Sequence, residues 1–572
     1  MDFLRLKKNL KKDFSKLPVT RVALLGDSAT QFFAQALRGY GYEVGMHLDL
    51  FEAEYNQIEQ QIFDESSDLY RFGPEYVLIF YSAQKLRERF YALGAEGRVR
   101  FADRHRETIT SCCEAIAARM PAKVICYNCA EIDDGIFCSY SNKLNLSFTF
   151  QLRTINCHLM EMSRATPSLF ICDLSALHNR YGERFVCDER MYVTSDMVFS
   201  MDFLPLIAKS TVDIMRALSG RFKKCLIVDL DNVLWGGVVG DDGMENIQIG
   251  ALGIGKAFTE MQRWIKELKR RGVILAVCSK NEEPLAREPF EKHPDMILKL
   301  EDIAVFVANW ENKVDNIRHI QSVLQIGFDS MVFLDDSPFE RSMVRTHIPE
   351  ITVPELPEDP ADYLSYLRSL NLFETASYTA SDEQRTHYYQ EEARRRVAQQ
   401  ICTSEDDFLS GLEMVSVVRS FEKFTIPRVA QLTQRSNQFN LRTIRYTEEE
   451  IENISSSEDY VHRSFTLRDR FGDYGLICAV IMKRQQEVLF IDTWIMSCRV
   501  LKRGMEQFVL NHLAALAKQQ GYAALVGEYL PTAKNGLVRD HYLKLGFQEK
   551  AGLWILKVSD YEPQKSFILP GE

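Results

Sequence analysis

The sequence predicts an α/β protein of several folded units, and three observations carry that prediction. Short apolar runs ending in small or acidic residues recur through the first two thirds of the chain, with amphipathic helical stretches between them. That alternation builds parallel sheets. From about Glu413 the pattern changes to longer strands mixed with helices. At 572 residues the chain also exceeds what one core supports, and three or four domains are expected.

The first unit, 1–205, opens with "RVALLGDSATQFFAQALRGYG", read as strand, tight turn and helix. "EYVLIFYSA", "AKVICYNCA" and "SLFICDLSAL" are its further strands, and a doubly wound sheet follows. The second, 220–365, starts at "KKCLIVDLDN" and continues through the predicted strands "GVILAVCSKN", "DMILKLED" and "SMVFLDDSP". "FTEMQRWIKELKRRG" and "KVDNIRHIQSVLQIG" are its helices, and "TVPELPEDPADY" is a proline-rich exit. Residues 366–412 include "SDEQRTHYYQEEARRRVAQQ", whose mixed charges predict a solvated helical connector. The last unit, 413–560, reads as α+β, with strands "YGLICAVIMKR" and "EVLFIDTWIMS" around the helix "GMEQFVLNHLAALAKQQG".

A net charge of -11 and the lack of a long basic stripe argue against nucleic acid as a partner. No apolar run reaches the ~20 residues needed to span a membrane. "MDFLRLKKNLKKDF" is basic without an apolar core, so no signal peptide is expected. Thirteen scattered cysteines lack the spacing of a disulfide scaffold, which predicts reduced thiols and a cytoplasmic location.

The chemistry centres on "CLIVDLDNVLWGGVVGDDG". A strand apolar on both faces runs into Asp229 and Asp231, and carboxylates two apart on an extended chain point the same way. In an open α/β sheet, the carboxyl ends of the strands are where ligands bind. Two later strand ends carry Ser279 and the pair Asp335 and Asp336, and Lys313 opens a helix between them. The bland alternative is a buried salt-bridge cluster.

In this order, the series resembles the four motifs of the haloacid dehalogenase (HAD) phosphatase superfamily. The resemblance implies that Asp229 is the nucleophile and Asp231 the acid/base. It also implies Mg²⁺ held by Asp229, the backbone carbonyl of Asp231 and Asp335, with Ser279 and Lys313 on the phosphoryl oxygens. The intervals from Asp229 to Ser279 and from Ser279 to Lys313 leave no room for a full cap domain, so a Rossmann-like HAD domain with an open site is expected.

"LDNVLWGGVVGDDG", "AVCSKN" and "FLDDSPFER" resemble a narrower group, the FkbH family, as do "LTQRSNQFNLRTIRY", "LRDRFGDYGLI" and "DTWIMSCRVLKRG" further on. Members take a glyceryl-phosphate unit from 1,3-bisphosphoglycerate, hold it as a cysteine thioester, remove phosphate and pass glyceryl to an acyl carrier protein. They serve polyketide and related biosynthesis. Cys278, beside Ser279, is the candidate thiolate, which Lys280 or a helix start would favour. The other reading of Cys278 is a small apolar residue finishing a buried strand. Cys225 reads as core.

"LLGDSA" resembles the opening block of SGNH hydrolases, with Ser28 as nucleophile and Asn128 as a possible oxyanion donor. A late Asp-x-x-His is missing: Asp173 and His178 are five apart, and "CDERMYVTSD" has no His. This SGNH- or flavodoxin-like domain is expected to keep the fold without hydrolysis. Cys126 and Cys129 lack the second pair a zinc site needs. The last unit resembles GNAT acyltransferases. Its "RVLKRG" stands at their acyl-CoA loop, which implies a phosphopantetheine arm near Arg499, Arg503 and Gly504. Arg435, Asn437, Gln438 and Asn440 add polar groups to that surface.

The leading expectation is an FkbH-like, Mg²⁺-dependent enzyme that loads a dephosphorylated three-carbon unit onto a carrier protein. A plain phosphatase for a small or carrier-bound phosphate ester, and a carrier-binding scaffold, are the alternatives.

Overall fold

The structure is a computed structural model that describes residues 2–378, 405–436, 438–497, 500–501, 503–532 and 534–571. Most of the expected charged connector therefore lies outside the described residues, as do Asn437 and Arg499. The chain forms two compact units, Met1–Arg216 and Ala217–Glu572.

The first unit is built on a parallel sheet of β1 (Val19–Gly26), β2 (His47–Glu52), β3 (Tyr76–Phe80), β4 (Lys123–Tyr127) and β5 (Leu169–Cys172). Their order, β2-β1-β3-β4-β5, is the flavodoxin-like one, with its switch point between β1 and β3. Val22 to Leu25 and Val77 to Ile79 are buried on both faces, which is why their apolar runs were legible as strands. The edge strand β2, "HLDLFE", is only partly buried and has no such run. The helix Leu204–Leu218 crosses the boundary expected at 205. Ile207, Ala208, Val212 and Met215 are buried, and Thr211 Oγ1 meets Tyr127 OH at 2.9 Å, so the helix belongs to this core up to Arg216.

The second unit holds two sheets. One is fully parallel, with β6 (Cys225–Val228), β7 (Ile274–Ser279), β8 (Val305–Ala308) and β9 (Met331–Leu334) in the order β8-β7-β6-β9. The strand expected at "DMILKLED" is displaced: β8 follows that stretch. The backbone N–H groups of Ile297 and Leu298 donate to Gln262 Oε1 at 3.0 and 3.2 Å, which takes the donors a ladder would need. Alternation along the strands splits the core in two. Leu226, Val228, Leu275 and Val277 pack with the helix Gly255–Arg270, while Ile227, Ala276 and Cys278 pack with the helix Lys313–Leu324. Between β6 and the Lys313 helix lie the helix Gly255–Arg270, β7, β8 and a few short helices, so no cap domain intervenes.

The other sheet is mixed and continues past the end expected at 560. It comprises β10 (Val415–Ser416), β11 (Val418–Arg419), β12 (Tyr460–Asp469), β13 (Gly472–Gln485), β14 (Val488–Met496), β15 (Ala524–Gly527), β16 (Gln548–Lys550), β17 (Leu553–Lys557) and β18 (Leu569–Pro570). β14 and β15 are parallel neighbours only from Val488 to Ile491. Beyond that they part, and Phe439 to Leu441 fill the gap: Met496 N donates to Phe439 O at 3.1 Å, and Leu530 N to Leu441 O at 2.9 Å. Among the described residues, no helix is long and apolar enough to cross a membrane.

Candidate active site

The carboxyl ends of β6, β7 and β9 converge on one buried polar cluster. Asp229 follows β6, and its backbone N–H donates to Leu334 O at 2.9 Å. Leu230 N donates to Asp229 Oδ1 at 2.8 Å. The chain then turns back sharply, with Asn232 at φ 54° and Gly237 at φ 93°. Asn and Gly are the residues that accept the left-handed region, which accounts for "DN" and "GG" here.

Lys313 is set by the helix that it opens, whose cap residue Asn312 accepts from Val314 N. Its Nζ donates to Oδ2 of Asp229 and Oδ2 of Asp335, both at 2.6 Å. Ser337 N donates to the other oxygen of Asp335 at 2.9 Å. Asp336 joins them, since one oxygen from each of Asp229, Asp335 and Asp336 lies within 4.8 Å of the others. Arg341 donates to the backbone carbonyls of Asp335 and Asp336 at 2.8 and 2.6 Å and so fixes that corner.

The electrostatics leave a surplus of negative charge. Burial, helped by the charge of Asp229, raises the Asp335 carboxyl to about 6. The same two causes raise Asp336. Burial opposes the charge on Lys313, but Asp229 and Asp335 outweigh it and keep the ammonium above the usual lysine range. Two buried carboxylates and the partly buried Asp336 around one ammonium form an all-oxygen donor set, which fits a hard divalent cation such as Mg²⁺.

Asp231 stands apart from that cluster. Its Oδ1 accepts from Trp235 Nε1 at 2.9 Å and Val239 N at 3.0 Å, and its Oδ2 accepts from Asn281 Nδ2 at 2.8 Å. Asn281 also reaches Ser279 Oγ at 3.2 Å. Asn281 is not among the site residues expected from the sequence, and Asp336 is there only as the second member of the acidic pair, without a metal-binding role. The signal for Asn281 was its place two residues past Ser279, on the same side of an extended chain.

The FkbH N-terminal domain family matches residues 21–216. A crystal structure of the N-terminal part of protein BF1531 from Bacteroides fragilis, containing a phosphatase domain complexed with Mg, is 55% identical. It covers 66% of this chain and 100% of that one, with a TM-score of 0.64. The chain belongs to the FkbH family. The ribosomal-protein-S18-alanine N-acetyltransferase of Escherichia coli is 18% identical over 26% of this chain and 97% of that one, with a TM-score of 0.21. No curated protein matches.

Several expected positions in this FkbH-family chain have other surroundings. Cys278 is fully buried on the face opposite to the Leu275 and Val277 side chains, with its Sγ 3.9 Å from Lys313 O. Burial pushes its thiol well above the ordinary range, the reverse of what a thiolate needs. Arg503, expected at a pantetheine phosphate, is buried, lies 3.4 Å from Asp469 Oδ2 and stacks over Tyr474. Its charge is thus satisfied inside the fold. Gly504, at φ 75°, opens the helix Met505–Gln519 and lines a cavity of about 830 Å³.

In the first unit, Ser28 Oγ is buried without a hydrogen-bond partner among the described residues. Asn128 donates to Asp173 Oδ1 at 2.8 Å and accepts from Ser175 N at 2.9 Å, so its carboxamide is tied to the start of the helix after β5. Ala29 N donates to Asp196 O at 3.0 Å and brings the late segment to this turn. Three residues on stands Phe199, packed on Phe33 and Phe80.

Proposed function

We propose that this chain is a Mg²⁺-dependent HAD-type phosphatase that works through Asp229. The observation that carries this reading is the cluster of Asp229, Asp335 and Asp336 with Lys313 at the carboxyl edge of a parallel sheet. Those three carboxylates, with the backbone carbonyl of Asp231, would hold the Mg²⁺, whose charge offsets the repulsion between them and an anionic ester.

The Asp229 carboxylate attacks phosphorus, the bond from phosphorus to the leaving oxygen breaks, and an aspartyl-phosphate forms. Asp231 gives its proton to the leaving oxygen. It then takes a proton from the water whose oxygen displaces Asp229 from phosphorus. Trp235, Val239 N and Asn281 hold the Asp231 carboxyl in one orientation for both transfers. Ser279 and Lys313 meet the phosphoryl oxygens. The first unit retains an SGNH-like fold and takes no part in hydrolysis.

The finer reading is glyceryl transfer, and family membership supports it. A three-carbon unit from 1,3-bisphosphoglycerate would be held as a thioester, lose its phosphate and pass to the phosphopantetheine arm of an acyl carrier protein for polyketide or related biosynthesis. The absence of a cap between the strands of this sheet suits a substrate presented on another protein. Among the described cysteines, Cys138 and Cys157 are exposed and Cys278 is buried, while Cys402 and Cys498 lie outside the described residues.

Incubation with labelled 1,3-bisphosphoglycerate tests both levels. Phosphate release that stops with EDTA and returns with Mg²⁺ supports the phosphatase, and a glyceryl mass retained on the protein supports the transferase. Neither phosphate nor adduct would contradict both and favour a carrier-binding scaffold.

A further inference from the structure

Lys313, Arg341 and Lys280 stand around the phosphatase cluster and differ in what they can still reach. Lys313 is buried between Asp229 and Asp335, with its side chain 3% exposed. Arg341 is also buried, held by Glu355 and by the backbone carbonyls of Asp335 and Asp336. Lys280 is different, because its side chain is 38% exposed. Its Nζ donates to Glu340 Oε1 at 2.7 Å, which leaves two of the three ammonium donors.

The place of that pair in the fold gives it meaning. Lys280 follows β7, and Glu340 lies in the first turn of the helix Pro338–His347 after β9. In the order β8-β7-β6-β9, β7 and β9 flank β6, the strand that Asp229 follows. Lys280 and Glu340 thus meet across the end of β6, over two strand spacings or about 10 Å. On either side of Lys280 in the chain, Asn281 donates to Ser279 Oγ and to Asp231.

Stability does not account for the pair, since a partly exposed lysine–carboxylate pair adds little to folding. Nor does Lys280 support a thiolate, because Cys278 is buried and its thiol is pushed up. An anionic ester, by contrast, meets Asp336 and Glu340 at this edge as well as Asp229. It needs a cation that is not already saturated.

We propose that Lys280 is a specificity-determining residue that pairs with a carboxylate on the substrate, so that the site prefers phosphate esters of hydroxy acids. One ammonium with two donors left matches a single carboxylate, and Glu340 positions it. The inference rests on the phosphatase reading above and deepens it by naming the group beyond the phosphate. With no cap domain in this sheet, recognition of that group falls to the strand ends.

The test is steady-state phosphate release by the full chain in Mg²⁺ from 2-phosphoglycolate and from ethyl phosphate, which differ by a carboxylate against a methyl group. The wild type is expected to show the lower KM for 2-phosphoglycolate. K280M should shrink the ratio of the two KM values about tenfold, the worth of one hydrogen bond between charged groups, with a far smaller change in kcat. K280R should keep most of the preference. E340Q keeps an acceptor for the ammonium and removes a competing charge, so it should widen the ratio. Ratios that K280M and E340Q leave at the wild-type value would overturn the role of Lys280, while Mg²⁺-dependent release keeps the phosphatase reading. No release from either ester by the wild type would overturn that reading and this inference with it.

Discussion

The ammonium nitrogen of Lys313 lies 2.6 Å from Oδ2 of Asp229, and both side chains are buried. Asp335 lies at the same distance from that nitrogen, so one cation serves two carboxylates. Breaking a buried ion pair from one side typically costs about 3–5 kcal/mol, because it strands the other charge. K313M should therefore lower the unfolding free energy of the second unit by that order, read as a fall in its denaturant midpoint. Added Mg²⁺ should return part of the stability without restoring phosphate release. An unchanged midpoint would mean that the pair contributes nothing to the fold.

Asn281 touches both Asp231 and Ser279. N281L keeps the branched shape, at a somewhat larger volume, and removes both contacts, so it should lower kcat on a simple phosphate ester by roughly a hundredfold, within the range of general acid–base catalysis. KM should move much less. Equal kcat for variant and wild type would show that Asp231 needs no such support.

For Cys278, burial argues against reactivity. C278A should leave phosphate release within about twofold and cost on the order of 1 kcal/mol through a small cavity. If intact mass instead shows the protein-bound glyceryl unit lost in a folded C278A variant, the buried thiol is the carrier after all.

Asp27 gives a pH dependence to the first unit. Burial raises its carboxyl from 3.8 to about 6, against the opposing hydrogen bond from Ser82 N and the charge of Arg89. The folded state thus holds this proton more tightly than the unfolded chain. The stabilising contribution is fully present below about 4 and is lost as pH rises through about 6, a loss of about 3 kcal/mol at neutral pH. D27N should raise the melting temperature above pH 7, with the gain fading by about pH 5. A gain that is the same at both pH values would contradict the burial argument.

Much of the site was legible because parallel strands buried on both faces announce their own ends. Asp229, Ser279 and Asp335 follow such runs, and Lys313 follows a capping Asn. What stayed hidden depends on partners far away in the chain. Gln262 diverts the backbone donors of Ile297 and Leu298, so a strand-like stretch is not a strand. Arg503 reads as a surface cation until Asp469 and Tyr474 enclose it. For Cys278, strand alternation already set it on the face opposite to its neighbour, and the structure fills that face with Ile227, Val314 and Ile317. The cavity beside Gly504 joins residues 321–325 to His541, a meeting that no local pattern encodes.

The central claim is that Asp229 is the phosphatase nucleophile, and one measurement addresses it most directly. Phosphate release from a simple ester is followed with D229N and wild type in Mg²⁺, with circular dichroism reporting the fold. The amide is nearly isosteric but a poor nucleophile and a weaker metal ligand. The account predicts a folded variant whose release falls to background. A folded D229N that releases phosphate at a rate near that of the wild type would contradict it.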